Sequence, residues 1–343
     1  MNNLVFSAPD SPRPKPRIQP VFIPFQGCPT RCVFCAQTLQ TGEPPRGVQL
    51  VLGDLAATLD HALAKGEPPR ELAFYGGTFT ALPLADQLAC LEIATRYQEK
   101  GLVSGIRAST RPDALSPDLL ATLRSAGLSM LELGIQSFST LPLTASQRGY
   151  TGETAILGCR MVRESGLALG IQLMPGMPGM QPEHFLRDLE VTVAEAPVVV
   201  RLYPCLVLAN TPLAAMFNNG KFTPWALETV IPLLVAAQRA FWQAGITVIR
   251  IGLAPQDGLD QDGILAGPVH PALGAIVRSI ALFHHVRDAV VRWNRPIASL
   301  AMPRRFQGEF WGHKGTLKQD YAALGIIPAT VVWHDAPHCE IVG

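Results

Sequence analysis

The stretch Phe25-Gln26-Gly27-Cys28-Pro29-Thr30-Arg31-Cys32-Val33-Phe34-Cys35 gathers three of the chain's seven cysteines within eight residues. Its spacing is C-x3-C-x2-C, and its glycine and proline let the loop curl so that three thiolates face one centre. The other four, Cys90, Cys159, Cys205 and Cys339, are scattered singly. One metal site plus ordinary buried thiols fits this better than a disulfide framework. Electron-transfer iron–sulfur clusters take four cysteines, and structural zinc takes four Cys or His ligands. Three nearby ligands therefore leave one coordination position open. Two other readings stand beside this one. Zinc with a distant fourth ligand would need Cys205, at the end of a predicted strand; alternatively, the cysteines bind nothing. A zinc loop favours paired C-x2-C knuckles or a near histidine, yet the first histidine is His61.

Outward from this loop, short β-branched or aromatic runs alternate with longer helical patterns. The strand candidates are Pro20–Phe25, Glu71–Tyr75, Gly105–Ser109, Met130–Ile135, Leu169–Met174, Val198–Tyr203 and Thr247–Ile251. Helical patterns fall between them, at Leu52–Lys65, Leu84–Lys100, Pro117–Ala126, Glu153–Ser165, Glu183–Val193 and Trp225–Trp242. Strands separated by helices of this length pair in parallel. The expected fold is therefore α/β, a partial (β/α)6-type TIM-like barrel over residues 19–255, with a doubly wound sheet as its competitor. A Pro-rich leader, 1–18, precedes the barrel. A Gly/Pro-interrupted extension, 256–343, follows it, with one helix near Ala272–Phe283. Chemistry in such folds gathers at the carboxyl ends of the strands. The cysteine loop, Gly76-Gly77-Thr78, Thr110-Arg111-Pro112-Asp113 and Pro175-Gly176-Met177-Pro178-Gly179 all fall at such ends.

The chain has 343 residues, 48% of them hydrophobic, and a net charge of +1. That near balance argues against a surface dominated by phosphate contacts. It leaves room for local basic patches: Arg13, Lys15 and Arg17 in the leader, and Arg304, Arg305, Lys314 and Lys318 near the C-terminus. No run reaches the ~18 apolar residues a membrane span needs, and the nearest, Val198–Val207, is interrupted by Arg201. The N-terminus lacks a basic-then-apolar signal design. A cytoplasmic protein without membrane partners is expected.

C-x3-C-x2-C with an aromatic, Phe34, before the last cysteine resembles the signature of the radical S-adenosylmethionine (SAM) superfamily. Phe74-Tyr75-Gly76-Gly77-Thr78 resembles that family's GGT loop. Then follow Ser109-Thr110-Arg111-Pro112-Asp113, Glu132-Leu133-Gly134-Ile135-Gln136-Ser137-Phe138, Gln147-Arg148-Gly149-Tyr150-Thr151 and Gln172-Leu173-Met174-Pro175-Gly176-Met177-Pro178-Gly179. In this order the series resembles the radical SAM domain of the Elongator catalytic subunit, a tRNA-modifying enzyme. More loosely, it is similar to oxygen-independent coproporphyrinogen III oxidase. Ile249-Arg250-Ile251-Gly252-Leu253 and Leu265–Pro271 resemble a stand-alone bacterial group within the Elongator-like branch.

The resemblance implies a [4Fe–4S] cluster on Cys28, Cys32 and Cys35, with SAM chelating the open iron. Reductive cleavage of SAM would then give a 5′-deoxyadenosyl radical that abstracts hydrogen from a substrate. It further implies SAM contacts at Phe34, Gly76, Gly77 and Thr78, and at Ser109, Gln136, Arg148 and Gln172 for ribose and carboxylate. Arg148 is the best candidate for the carboxylate, since a guanidinium binds one bidentately; its alternative is a pair with Glu153. Gln136 could instead satisfy backbone groups at its strand end, and Arg111 and Asp113 could simply form a turn. The chain departs from the relatives at Ser109, where both have glutamate, at Gln172, and at Tyr150, where the Elongator segment has histidine. An external one-electron donor of the flavodoxin or ferredoxin kind is implied. The substrate is expected to be tRNA or another RNA, or alternatively a small anionic molecule such as a tetrapyrrole or cofactor precursor. A non-catalytic iron–sulfur protein is the third reading. About 90 residues follow the barrel, too few for an acetyl-CoA fold, so no acetyl-CoA domain is expected. The extension, with Trp311, His313 and Lys314, is expected to form one edge of the substrate pocket.

Overall fold

The computed structural model describes residues 3–10, 17–42, 44–253 and 263–343. Arg13 and Lys15 of the leader, and the barrel–tail boundary near Pro255, lie outside them. In chain order the strands are β1 Asn3–Ser7, β2 Ile18–Phe22, β3 Arg70–Tyr75, β4 Val103–Thr110, β5 Met130–Gln136, β6 Ala168–Leu173, β7 Val199–Leu202, β8 Val207–Leu208, β9 Thr247–Ile251, β10 Ile264–Ala266, β11 Ser299–Pro303, β12 Val331–His334 and β13 His338–Val342.

Seven of them form one curled parallel sheet in the order β2-β3-β4-β5-β6-β7-β9, a partial TIM-like barrel. All seven sequence-read strands are in it. Helices Val48–Ala64, Leu84–Glu99, Pro117–Ser125, Gly152–Glu164, Pro182–Glu195 and Leu227–Gln243 join successive strands. Local chemistry starts several of them. Ser116 accepts from the Leu119 amide ahead of Pro117, and Thr151 accepts from the Thr154 amide.

Period-two alternation decides what faces the barrel interior. On β5, Leu131, Leu133 and Ile135 are fully buried in the apolar core, while Glu132, Gly134 and Gln136 line the inner cavity. Tyr75, Ser109, Gln172 and Arg201 take the same inward positions on their own strands.

Two features correct the sequence reading. The first strand ends at Phe22 rather than Phe25, because Phe25 has φ 61, a left-handed conformation no strand accommodates. The tail is also more regular than its glycines and prolines suggest. Strands β1, β13, β11 and β12 build a second sheet in that order, and the N-terminal strand pairs antiparallel with the last one. This sheet has its own core of Phe6, Leu300, Met302, Phe306, Phe310, Tyr321 and Ile341. Helix Leu273–Trp293 joins the two cores, burying Val277 and Ala281 in the first and Leu282 and Val286 in the second. Among the described residues, no helix is long and apolar enough to cross a membrane.

Candidate active site

The cysteine loop and the GGT loop leave neighbouring strands, β2 and β3, and touch backbone to backbone. A Cβ on Gly27 would lie 2.4 Å from the Thr78 carbonyl oxygen, and one on Gly77 would lie 2.1 Å from that of Gln26. Both glycines have positive φ, so only a residue without Cβ fits either position. The Thr78 amide donates to the Gln26 carbonyl at 2.8 Å. The amide oxygen of Gln37 accepts from the Gly77 amide at 2.9 Å and also from the Phe25 amide.

Cys28, Cys32 and Cys35 all line one cavity of about 660 Å³ inside the barrel. Cys28 Sγ lies 3.4 Å from Thr78 Oγ1, and Arg148 Nη1 donates to Cys32 Sγ at 3.0 Å. Burial, then the neighbouring Cys32 and Cys28, pushes the Cys35 thiol up to about 12. A coordinated iron would reverse that, since a ligating thiol is deprotonated. Cys205 is buried in the apolar core and is absent from the cavity wall. Among the described residues, no three His, Cys, Asp or Glu side chains gather closely enough for one metal ion. The donor set is therefore three thiols spread along one loop and open to one cavity. That fits a cluster with three protein ligands better than a closed zinc site.

The expected SAM contacts fall in the same cavity: Phe34, Gly76, Gly77, Thr78, Ser109, Gln136, Arg148 and Gln172 all line it. Gln172 Nε2 donates to Gln136 Oε1 at 3.2 Å. Gln136 ends β5 with φ 66, and Phe25 and Gln147 are likewise left-handed next to the cysteine loop and Arg148. Such backbone conformations cost about 1–3 kcal/mol each and cluster at functional sites.

Arg148 is buried, and it does not pair with Glu153. Besides Cys32, it donates to the Tyr150 hydroxyl from Nε and Nη2, at 3.0 and 2.9 Å, and to the Gly134 carbonyl at 2.6 Å. Tyr150, the departure from the Elongator pattern, is thus the partner that aims Arg148. Arg111 binds Asp113 bidentately at 2.9 and 2.7 Å and donates to the Arg148 carbonyl, so it braces the Arg148 loop.

One polar network escaped the sequence reading. Arg201 Nε donates to Glu132 Oε2 at 2.5 Å, and Tyr75 donates to Glu132 Oε1 at 2.8 Å. Arg107 reaches Glu132 at 3.3 Å and pairs also with Glu71. Burial alone would raise the Glu132 carboxyl, but Arg201 and then Arg107 hold it below the ordinary carboxylate range. Burial and then Glu132 push the Tyr75 phenol upward. Glu132 is the register partner of Ser109 on the next strand. A carboxylate thus stands beside Ser109, but its oxygens are already engaged.

The Radical SAM superfamily model matches residues 22–191, and the Radical_SAM C-terminal domain model matches 197–281. The chain belongs to the radical SAM superfamily. It is an enzyme of that family, whose members use a [4Fe–4S] cluster and SAM. The tRNA uridine(34) acetyltransferase of Methanocaldococcus infernus is 28% identical over 250 residues, covering 62% of this chain and 47% of that protein. Elongator complex protein 3 of Mus musculus is 28% identical over 187 residues, covering 48% of this chain and 34% of that protein. The chain therefore spans about half the length of the first relative and a third of the second. A solved structure of M. infernus Elp3 lacking residues 1–46 shares the fold, with a TM-score of 0.58 at 24% identity, covering 77% of this chain and 62% of that one.

In this radical SAM enzyme the described tail, 263–343, contributes none of the cavity's lining residues. It approaches through β10, which pairs with β8, whose Leu208 is on the wall. Trp311 packs edge-on to Phe310 and Tyr321 in the second core, and His313 stands against His270. Arg305 binds Asp10, and Arg304 binds Asp335. Among the described residues, those that line the cavity fall between Ile18 and Leu253.

Proposed function

We propose that this radical SAM enzyme modifies a nucleotide of tRNA or another RNA. The observation that carries the substrate class is the charge of the cavity wall. Among the described residues Arg31, Arg111, Arg148, Arg201 and Arg250 line it with one carboxylate, Glu132, on the wall and Asp113 behind Arg111, in a chain whose net charge is +1. A concave site of one sign with low-dielectric walls concentrates the opposite charge. The name of one relative agrees, the tRNA uridine(34) acetyltransferase of M. infernus.

In this reading Cys28, Cys32 and Cys35 hold the cluster. Gly76, Gly77 and Thr78 hold the SAM amino end through backbone groups, and Phe34 packs beside it. Gln136, Gln172 and Ser109 face the ribose and carboxylate, and Arg148 fixes Cys32 while presenting its charge to the same end. When bound, cluster and SAM supply a 5′-deoxyadenosyl radical that takes a hydrogen atom from substrate. The chain's own task is to orient the target and keep water from the cavity. The enzyme takes its electron from a flavodoxin- or ferredoxin-like donor in the cytoplasm.

The experiment is a gel shift with bulk tRNA at two salt concentrations, paired with 5′-deoxyadenosine release under anaerobic conditions. RNA action predicts binding that weakens steeply with salt and faster release with tRNA present. No shift at low salt and no stimulation would favour the second reading, a small anionic substrate. The near-neutral net charge and a cavity within the ~300–1,000 Å³ range of small-molecule sites favour that alternative.

A further inference from the structure

Arg201 and Arg250 are direct register partners on adjacent parallel strands, β7 and β9. Both line the cavity, so two arginine side chains share one face. Like charges placed opposite one another across strands destabilise a sheet, so the arrangement calls for a reason.

The register shows how it arises. Val200 pairs with Val248, but the next pair is Arg201 with Arg250, so Ile249 is an extra residue in β9. Without this bulge Arg201 would face Ile249. Bulges of this kind re-aim side chains next to active sites. Here the bulge puts both Ile249 and Arg250 on the cavity wall.

The charges around the pair do not cancel. Arg201 shares Glu132 with Arg107, and Arg107 also meets Glu71. Arg250 is exposed and has no carboxylate partner among the described residues. Among the described residues three arginines thus face two carboxylates, with the unbalanced charge at Arg250. Glu132, Tyr75 and Tyr203 fix the Arg201 guanidinium, with the Tyr203 hydroxyl accepting from Nη1 at 3.2 Å. The result is one pre-oriented donor set on β7 and one exposed donor set on β9. The cysteine loop follows β2, at the other edge of the sheet.

We infer that Arg201 and Arg250 form an oxyanion subsite that holds a phosphate group of the substrate at the β9 end of the cavity. The inference rests on the RNA reading only for the source of that phosphate. Arg250 is suited to the task, because its planar fork matches phosphate oxygens bidentately, while Arg201, whose fork already holds Glu132, adds its remaining Nη1 hydrogen. Ile249 beside it offers an apolar contact for the group that carries the phosphate.

The test is calorimetric titration of the full-length, anaerobically reconstituted protein with inorganic phosphate, with the dinucleotide UpU and with uncharged uridine. The variants are Arg250→Gln and Arg250→Lys, whose exposed position keeps the fold intact, as unchanged melting temperatures verify. The expected result is that inorganic phosphate and UpU bind the wild type, that Arg250→Gln weakens both by about ten- to a hundredfold, and that Arg250→Lys restores part of the loss. Uridine affinity should not change between wild type and Arg250→Gln. If Arg250→Gln binds both anions as the wild type does, or if neither anion binds the wild type, the subsite does not exist. If phosphate binding depends on Arg250 while UpU does not bind at all, the subsite stands and the RNA reading falls.

Discussion

Arg148 Nη1 donates to Cys32 Sγ across 3.0 Å, linking the loop after β5 to the middle cysteine of the cluster loop. Residues 116 positions apart are joined, and the Tyr150 hydroxyl holds the guanidinium from the other side. Removing that hydroxyl leaves two buried N–H donors with one partner fewer. Tyr150→Phe should therefore cost about 1–3 kcal/mol in denaturant unfolding. It should also loosen the iron, read as faster loss to a chelator. A variant as stable and as iron-retentive as wild type would show that Tyr150 does not position Arg148.

Gly77 and Gly53 make a matched pair. At Gly77 an added Cβ meets the Gln26 carbonyl oxygen in a left-handed turn, whereas Gly53 lies in helix Val48–Ala64 with nothing within 4 Å. Gly77→Ala should separate the cysteine and GGT loops, destabilise by at least about 1–3 kcal/mol and abolish SAM binding. Gly53→Ala should stabilise by about 0.5–1 kcal/mol through helix propensity. Thermal melts of the two variants, with SAM titration of each, check both signs.

The fold of the barrel was legible because buried parallel strands carry their signal locally. Seven apolar runs separated by helical periodicity sufficed, and the motif glycines marked the strand ends. The second sheet was not legible. Its strand β1 comes from residues 3–7 and its partner from 338–342, and no local pattern announces a pairing that distant. The Glu132–Arg201 network was hidden for a similar reason. Arg201 reads in sequence as a lone charge breaking an apolar run, and only the sheet register sets it beside a carboxylate 69 residues away. Tyr150 was visible as a departure from the relatives, but its partner was not.

Glu132 is buried and shared by two arginines, so truncating Arg201 leaves a carboxylate without its closest cation. Arg201→Ala should destabilise by about 3–5 kcal/mol, and the double variant with Glu132→Gln should recover part of that. Denaturant midpoints of the two single variants and the double variant close the cycle. Additive losses would show that the pair is not coupled.

Asp188 gives a pH dependence of opposite sign to that of most carboxylates. Burial raises it from 3.8 to about 7, against the Phe138 amide, which donates at 2.7 Å, and the Ser137 hydroxyl. Its folded pKa lies above its unfolded one, so the folded state binds the extra proton. Stability from this group is full below about 4, falls as pH rises through the interval, and is lost above about 7. Asp188→Asn should therefore melt higher than wild type at pH 8, with the gain shrinking toward pH 4. A constant difference across that range would contradict the assignment.

The central claim is that Cys28, Cys32 and Cys35 alone hold a [4Fe–4S] cluster that cleaves SAM. The direct measurement is iron, sulfide and 5′-deoxyadenosine after anaerobic reconstitution of the wild type, each Cys→Ala variant of the loop, and Cys205→Ala. The account predicts about four iron and four sulfide per chain with SAM cleavage in the wild type and in Cys205→Ala. It predicts loss of both in every loop variant. Zinc as the native metal, a cluster that survives loss of a loop cysteine, or one that disappears with Cys205 would contradict it.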